Sequence, residues 1–249
     1  MGDFPNQGNP NRVRPQHYQF RMPANPRVAA QITPLIRQLF GVAINGVVFD
    51  PGTAEYWQGS PQWHYEAISK TLDLGLDSNH AHVQPSGAYH YHGIPTGLIS
   101  HFEQQDKMML IGYAADGFPI YNQYGFENHQ DTNSPMRKMQ SSDQLKSGQR
   151  PPDSLGGAYD STFEQDYVFI AGAGDLDECN GRFGATLEYP QGIYHYYVTE
   201  TFPFISRFYR GTPDPSFTRK GPPPFGLPPF GVPPLRPPLP PLNHYSQSN

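Results

Sequence analysis

Hydrophobic and polar residues alternate over short segments of this chain, and glycine, proline and asparagine separate those segments. Successive side chains of a β-strand point to opposite faces, so this alternation predicts half-buried strands. The predicted strands and hairpins are residues 42–49, 79–93, 107–113, 115–121, 167–171 and 192–199. Two short helices are predicted over residues 63–72 and 97–105, the first because Ser60 can cap it and Pro61 suits its first turn. The pattern predicts a mainly β or α+β fold with antiparallel strands and short helices.

One predicted hairpin carries four of the ten histidines, as two His-x-His pairs on either side of a turn that contains Pro and Gly. The pairs are His80 with His82 and His90 with His92. In an antiparallel hairpin centred on Ser86, His82 lies opposite His90 and His80 lies opposite His92. All four imidazoles then share one face, with opposed Cβ atoms about 5 Å apart. The prediction depends on the register, since a shift of one residue would place the two pairs on opposite faces.

The chemistry predicted for this hairpin is metal binding. Clustered imidazoles pack poorly in a core but are good ligands for transition metals, and a site without cysteine suits copper or zinc. A structural site would be closed by four protein ligands, whereas a catalytic site would leave one position for water. The competing interpretation is that the histidines only form hydrogen bonds beside a tyrosine-rich core.

A later strand repeats part of the hairpin sequence. The hairpin contains Gly-Ala-Tyr-His-Tyr, and the later strand contains Gly-Ile-Tyr-His-Tyr. In both strands the tyrosines would lie on one face and the histidines on the other. We expect the two strands to converge, which would bring His195 to the other four histidines as a fifth metal ligand. Tyr89, Tyr91 and Asp116 are candidates for residues that support the ligands, and Asp116 also suits an ordinary Asp-Gly turn.

Composition and charge exclude two classes of partner. The net charge of −5 gives no basic surface for nucleic acid, and no apolar run reaches the roughly 18 residues of a membrane span. Only 16% of residues are charged, whereas 29 prolines, 25 glycines and 14% aromatic residues favour a loop-rich domain with an aromatic core. Cys179 is the single cysteine, so an intrachain disulfide is excluded. The first residues lack the apolar core of a signal peptide, which leaves a cytosolic protein or a removed leader as alternatives.

The distribution of proline predicts one domain with extended ends. Residues 1–26 are predicted to form an extended arm, residues 27–217 a single domain, and residues 218–249 a Pro-rich tail. Within the tail, residues 221–241 have recurrent Pro-Pro pairs, and this composition favours polyproline II. The tail is either a spacer or a docking and assembly arm, since Phe and Leu recur along it.

Segments spread over most of the chain carry a resemblance to a known family. They are residues 45–47, 74–77, 82–85, 87–95, 111–121, 166–167, 174–183, 194–196, 202–203 and 210–213. In these segments the chain resembles the YHYH family, which is named for Tyr89-His90-Tyr91-His92. The resemblance covers about residues 42–217.

The family resemblance implies a single compact domain, usually in exported proteins, and therefore an extracytoplasmic location. It implies no established activity. The chain departs from the family pattern at two positions. Relatives often carry a second cysteine near Phe208, which could pair with Cys179, and a second histidine where this chain has Tyr197.

Metal binding by the histidine cluster is the leading function, with a role in storage, sequestration or structural support and with copper or zinc as the ion. A first alternative is a metal-dependent hydrolase or oxidase, which needs an open coordination position and an acid such as Asp116. A second alternative is a secreted structural or assembly subunit whose arm and Pro-rich tail engage neighbouring chains. The sequence does not indicate whether the protein is an enzyme.

Overall fold

A computed structural model of the protein describes residues 1–103, 105–152 and 154–219. The fourteen strands of this part of the chain are β1 (Thr33–Pro34), β2 (Gly41–Ala43), β3 (Val48–Phe49), β4 (Ala81–Val83), β5 (Tyr89–Tyr91), β6 (Leu110–Ala114), β7 (Pro119–Tyr121), β8 (Tyr124–Phe126), β9 (Met136–Lys138), β10 (Asp143–Leu145), β11 (Tyr167–Phe169), β12 (Gly181–Gly184), β13 (Ile193–Tyr197) and β14 (Phe208–Tyr209). One α-helix, α1 (Thr96–Ile99), and three 3₁₀ turns (Trp57–Gly59, Glu164–Asp166 and Pro215–Phe217) accompany them. The predicted class is confirmed, and of the two alternatives the fold is mainly β.

Eight strands form a central mixed sheet in the order β12-β13-β7-β6-β2-β3-β5-β4. Two tight hairpins build its middle, β2-β3 and β6-β7. Gly46 and Gly117 occupy positive φ angles of 84° and 86° in their turns, a conformation that glycine adopts without steric cost. Both turns follow the predicted Asn-Gly and Asp-Gly signals. The outer strands are the hairpins β4-β5 and β12-β13, one at each end of the sheet.

Aromatic side chains fill the core, as the composition predicts. Phe40 is 1% exposed and packs between Tyr196 and Tyr209, with ring centroids 5.0 and 5.4 Å away. Burying a large apolar side chain of this kind contributes about 1.5–3 kcal/mol. The two tyrosines keep their hydroxyls hydrogen-bonded, Tyr196 to Asp116 and Tyr209 to the carbonyl of Leu39. The tyrosine hydroxyls at these positions therefore have hydrogen-bond partners, and their burial leaves no hydroxyl unpaired.

The helix predicted over residues 63–72 is wrong. His64 and Tyr65 form isolated β-bridges with Tyr56 and Phe163, and turns and bends follow in place of a helix. The rings of Tyr65 and Phe163 lie 4.6 Å apart, and Trp63 meets the edge of the same phenylalanine. These contacts with a distant segment outweigh the local capping signal. The second predicted helix, over residues 97–105, is confirmed only in its first part: α1 is one short turn, Thr96–Ile99, and bends and turns follow it.

Residues 1–26, the predicted arm, lie along the domain. Asn9 is 4% exposed and donates a hydrogen bond to the carbonyl of Val83 in β4, at 3.1 Å. Farther along, Phe20 stacks on Phe217 at a centroid distance of 4.2 Å. The boundaries at residues 26 and 217 stay a prediction. Nearly all of the predicted Pro-rich tail, from residue 220 onward, falls outside the described residues.

Candidate metal site

The hairpin β4-β5 positions the histidines. Its strands are antiparallel, and the register places His82 opposite His90. Gly87, at φ 90°, turns the chain, and its amide hydrogen-bonds to the carbonyl of Gln84. The predicted register is confirmed. Because side chains alternate along a strand, His90 and His92 point to the same face of β5 as each other, and His82 meets them from β4.

Three imidazoles gather on this face, those of His82, His90 and His92. One ring nitrogen from each lies within 4.8 Å of those of the other two. The ring centroids are 4.7 to 4.8 Å apart for all three pairs. His90 and His92 are each 1% exposed, and His82 is half-buried. The imidazoles of His90 and His92 are therefore buried, and the His82 side of the cluster lies closer to solvent.

The Nδ1 atom of each ring faces a backbone carbonyl oxygen. The distances are 2.9 Å for His82, 3.3 Å for His90 and 3.4 Å for His92. The three acceptors belong to Leu74, Ala88 and Pro51, respectively. A carbonyl oxygen only accepts hydrogen bonds, so the 2.9 Å contact of His82 favours a proton on Nδ1 and a free lone pair on Nε2, and the longer contacts of His90 and His92 favour the same tautomer more weakly. This arrangement holds histidine ligands in the correct tautomer at metal sites.

The Nε2 atoms differ in their surroundings. His92 Nε2 is buried and has no hydrogen-bond partner among the described residues. His90 Nε2 lies 3.4 Å from the side-chain amide nitrogen of Gln84, a weak contact. Leaving a buried polar atom unpaired costs about 1–3 kcal/mol. The His92 nitrogen therefore lacks the partner that a bound ion would supply.

Burial keeps the cluster neutral. It lowers the pKa of His90 to about 3, and the neighbouring His82 adds to the effect by repulsion. Burial lowers the pKa of His92 well below its usual value, with His90 and His82 adding repulsion, and burial lowers the pKa of His82 as well. Neutral imidazole is the form that binds a metal ion. The three rings are therefore in their ligand form at neutral pH.

His80 was predicted as a ligand, but the structure places its ring outside the cluster of three. The predicted backbone pairing of His80 with His92 is confirmed, since the carbonyl of His80 accepts a hydrogen bond from the amide of His92. The residue lies one position before β4, however, with φ at 50°. This left-handed conformation breaks the strand alternation, and the ring turns to the carbonyl of Ile94 at 3.0 Å.

His195 was predicted to converge on the cluster, and this is wrong. It lies in β13, and four strands of the central sheet separate β13 from β5. At about 4.8 Å per strand, the two strands are about 24 Å apart along the sheet. His195 Nε2 is 2.8 Å from the hydroxyl of Tyr197, and Nδ1 is 2.9 Å from the carbonyl of Ile193. Similar strand sequences do not make two strands neighbours.

The three predicted supporting residues also lie elsewhere. Tyr89 and Tyr91 occupy the opposite face of β5, where their hydroxyls meet Asp77 at 2.7 Å and Asn45 at 2.9 Å. Asp116 sits in the β6-β7 turn and accepts a hydrogen bond from the amide of Gly211 at 2.8 Å. The alternation of tyrosine and histidine had itself predicted separate faces for the two residue types.

Sequence reasoning missed two buried residues, Asn9 and Asp50, that lie beside the cluster. Asn9 approaches His82 Nδ1 at 3.3 Å from the N-terminal arm. Asp50 follows β3 and is 2% exposed, and its amide hydrogen-bonds to the carbonyl of Tyr91 beside the cluster. Burial raises the pKa of Asp50 to about 6, although Arg219 opposes this through an ion pair. Nothing in the local sequence around these residues signals their position, because long-range folding brings them there.

Fold and site together define a mainly β protein with a buried cluster of three histidines. The family model described as YHYH protein matches residues 19–211, and the chain belongs to this family. The family's Tyr-His-Tyr-His sequence is strand β5 and the residue after it. Neither a curated protein nor a solved structure matches the chain. In the described residues, no helix is long and apolar enough to cross a membrane.

Proposed function

We propose that the protein binds a transition metal ion, copper or zinc, through His82, His90 and His92. The observation that carries the proposal is the convergence of three ring nitrogens within 4.8 Å, one of them buried without a hydrogen-bond partner among the described residues. Imidazole ligands suit both metals, and the order of affinities favours copper where it is available.

The energetics support an ion rather than an empty cluster. Three neutral imidazoles pack against one another, and one ring nitrogen of each lies within 4.8 Å of those of the other two. Where such nitrogens carry lone pairs, a cation placed among them turns their electrostatic repulsion into ligand bonds. Three protein ligands leave a further coordination position. His82 is the most exposed of the three, so we expect this position to face its side of the site.

Three protein ligands leave the open position that a catalytic site needs, but we favour storage, sequestration or structural support over hydrolysis because the predicted acid lies away from the cluster. The acid that the hydrolase alternative would use, Asp116, is committed to the Tyr196 hydroxyl and the Gly211 amide. The assembly alternative is weakened for the arm, because Asn9 and Phe20 pack on their own domain. Family membership supports an exported protein, which we infer to meet its metal outside the cytoplasm.

Metal titration of the untagged protein tests the proposal. Copper(II) and zinc(II) would be titrated separately by calorimetry, and bound metal would be counted by elemental analysis. We expect one equivalent in the wild type and at least about tenfold weaker binding in His90→Gln and His92→Gln. His195→Gln is the matched control, since this histidine is equally buried and also lies between tyrosines.

The control separates ligand loss from damage to the fold. We expect His195→Gln to bind metal as the wild type does. Circular dichroism would verify that all four proteins are folded. Absence of binding in the wild type would overturn the proposal, and so would equal affinity in all four proteins.

A further inference from the structure

The two halves of the central sheet are related by a local two-fold axis. One half is β2-β3-β5-β4 and the other is β6-β7-β13-β12, so the strand order is the same read outward from the centre. At the centre, β2 pairs with β6 in antiparallel register, with Val42 opposite Tyr113. On either side of that pair, glycine faces alanine, in the pairs Gly41 with Ala114 and Ala43 with Gly112. The hydrogen bonds beyond the pair follow the same symmetry, Ile44 N to Ile111 O and Ala115 N to Phe40 O.

The inner hairpins match in detail. In β2-β3 the amide of Gly46 donates to Ala43 O, and in β6-β7 the amide of Gly117 donates to Ala114 O. In each half the second strand of the hairpin then pairs in parallel with the Tyr-His-Tyr strand, β3 with β5 and β7 with β13. The two halves are therefore equivalent from the axis to the histidine strands.

The outer hairpins begin with the same turn. Asp77 N donates to Ala81 O and accepts from His80 N through its carbonyl, and Asp177 does the same with Gly181 and Asn180. His80 and Asn180 both have positive φ, at 50° and 54°. The carboxylate of each aspartate also accepts a hydrogen bond from the first tyrosine of the paired strand, Tyr89 or Tyr194.

This equivalence assigns a counterpart to every member of the histidine cluster. His90 corresponds to His195, and the ring Nδ1 of each faces the carbonyl two residues earlier. His82 lies opposite His90, and Arg182 lies opposite His195. His92 corresponds to Tyr197, because each donates its amide to the residue that precedes the outer strand, His80 or Asn180. The counterpart of the three histidines is therefore Arg182, His195 and Tyr197.

Arg182 supplies a fixed positive charge in this second group. Its guanidinium carbon lies 5.6 Å from the ring centroid of Tyr197, and one nitrogen donates to the carbonyl of Phe126 at 2.6 Å. The Tyr197 hydroxyl lies 2.8 Å from His195 Nε2. Nε2 of His195 therefore has a strong hydrogen-bond partner, whereas Nε2 of His90 has only a weak one. The group thus contains a His–Tyr hydrogen bond and a cation held on a side chain, although Arg182 Nε is buried without a hydrogen-bond partner among the described residues.

We propose that the second half of the sheet holds a degenerate copy of the metal site, in which the Arg182 guanidinium takes the place of the ion bound in the first half. The ion is then a structural cation, which fixes β4 to β5 as Arg182 helps to fix β12 to β13. This inference rests on the proposed function for the identity of the cation in the first half. In this inference the ion stabilises the pairing of β4 with β5, a role that requires no catalytic activity.

The double variant Arg182→His with Tyr197→His tests the equivalence by restoring the missing ligands beside His195. Zinc(II) would be counted by elemental analysis after dialysis, in the wild type and in the variant. We expect one equivalent in the wild type and two in the variant. One equivalent in both, with an unchanged circular dichroism spectrum, would overturn the inference. Failure of the proposed function is distinguishable, because the wild type would then bind neither zinc nor copper in the separate titrations described above.

The opposite exchange provides the second arm, which decides the question if the first variant does not fold. His82→Arg with His92→Tyr installs the guanidinium and hydroxyl around His90. We expect this variant to bind no zinc and to melt at a higher temperature than the metal-free wild type, because its cation is built in. His82→Ala with His92→Ala serves as control and should melt lower. Melting of the exchange variant at or below the temperature of the metal-free wild type would count against the inference.

Discussion

At the scale of single residues, His90 and His195 show how different surroundings give one sequence different roles. Both lie between two tyrosines and are almost fully buried. Burial lowers the pKa of each to about 3. His195 finds a carbonyl and a tyrosine hydroxyl as partners, whereas His90 joins two other imidazoles. The chemistry of the site therefore comes from neighbours on other strands.

Replacement by leucine, which is similar in volume, distinguishes the two environments in the metal-free protein. His92→Leu removes a buried nitrogen that lacks a hydrogen-bond partner among the described residues. His92→Leu also removes the contact of Nδ1 with the carbonyl of Pro51, but at 3.4 Å this contact is weak. We therefore expect the free energy of unfolding to change by less than about 1 kcal/mol in either direction. Urea denaturation in the presence of a chelator measures it.

His195→Leu is the matched comparison and should have a larger effect. It leaves the carbonyl of Ile193 and the hydroxyl of Tyr197 without their imidazole partner. We expect a loss of about 2 kcal/mol. If His92→Leu lost as much as His195→Leu, the imidazole of His92 would be a structural hydrogen-bonding group and the argument from its unpaired nitrogen would fail.

At the scale of elements, two glycines allow the halves of the sheet to meet. A Cβ atom on Gly41 would lie 2.4 Å from the carbonyl oxygen of Tyr113, and one on Gly112 would lie 2.5 Å from that of Val42. Both contacts are with backbone, which cannot move without opening the ladder between β2 and β6. Glycine at these two positions therefore permits the pairing of β2 with β6. That pairing places the two outer hairpins at opposite ends of the sheet.

Substitution of either glycine should weaken the centre of the sheet. We expect Gly41→Ala and Gly112→Ala each to lower the free energy of unfolding by about 2–3 kcal/mol through overpacking. Thermal unfolding followed by circular dichroism checks this. Gly52→Ala is the control, because its Cβ would meet only His64 Cε1, at 3.8 Å, among the described residues. A central variant as stable as the control would show that the ladder tolerates displacement.

Elements also show how far sequence pattern reaches. The hairpin register around His82 and His90 was predicted because turn residues and alternation are local signals. The positive φ of His80 was not predicted, since it depends on the turn that Asp77 begins. The distance between β5 and β13 was also beyond prediction, because sheet order is set by pairings between distant segments.

At the scale of the whole molecule, buried charges join loops that are far apart in sequence. Arg207 pairs with Glu66 at 2.5 Å and lies 3.3 Å from Glu164. His64 Nδ1 lies 3.2 Å from the other oxygen of Glu164. Burial alone would raise the pKa of Glu164, but His64 and Arg207 lower it to about 2. The network ties residues 64–66 to two later segments of the domain, those that contain Glu164 and Arg207.

Glu164 gives a pH dependence of defined sign. Its folded pKa lies below its ordinary value near 4.5, so its contribution is present above about pH 4.5 and is lost as the pH falls toward 2. The shift corresponds to about 3 kcal/mol. We expect Glu164→Gln to lower the free energy of unfolding by about this amount at pH 5.5 and by much less at pH 2.5.

Denaturant titrations of the wild type and variant across this range measure the difference between them, which cancels the titration of groups that do not interact with Glu164. Glu200→Gln is the control, because Glu200 forms an exposed pair with Lys138 and such pairs contribute little. A difference that did not change between pH 5.5 and pH 2.5 would contradict the assigned role of Glu164.

The sequence by itself predicted a mainly β or α+β class, the family, the hairpin and, for a hairpin centred on Ser86, the opposition of His82 to His90. These follow from alternation, turn residues and the order of motifs, which are local properties of the chain. Only the tertiary structure decided that three histidines rather than five converge, that the carbonyl of Pro51 orients His92, and that the arm packs on the domain. Those outcomes depend on contacts between residues far apart in the chain, and a local sequence pattern does not reveal the free energies of such contacts.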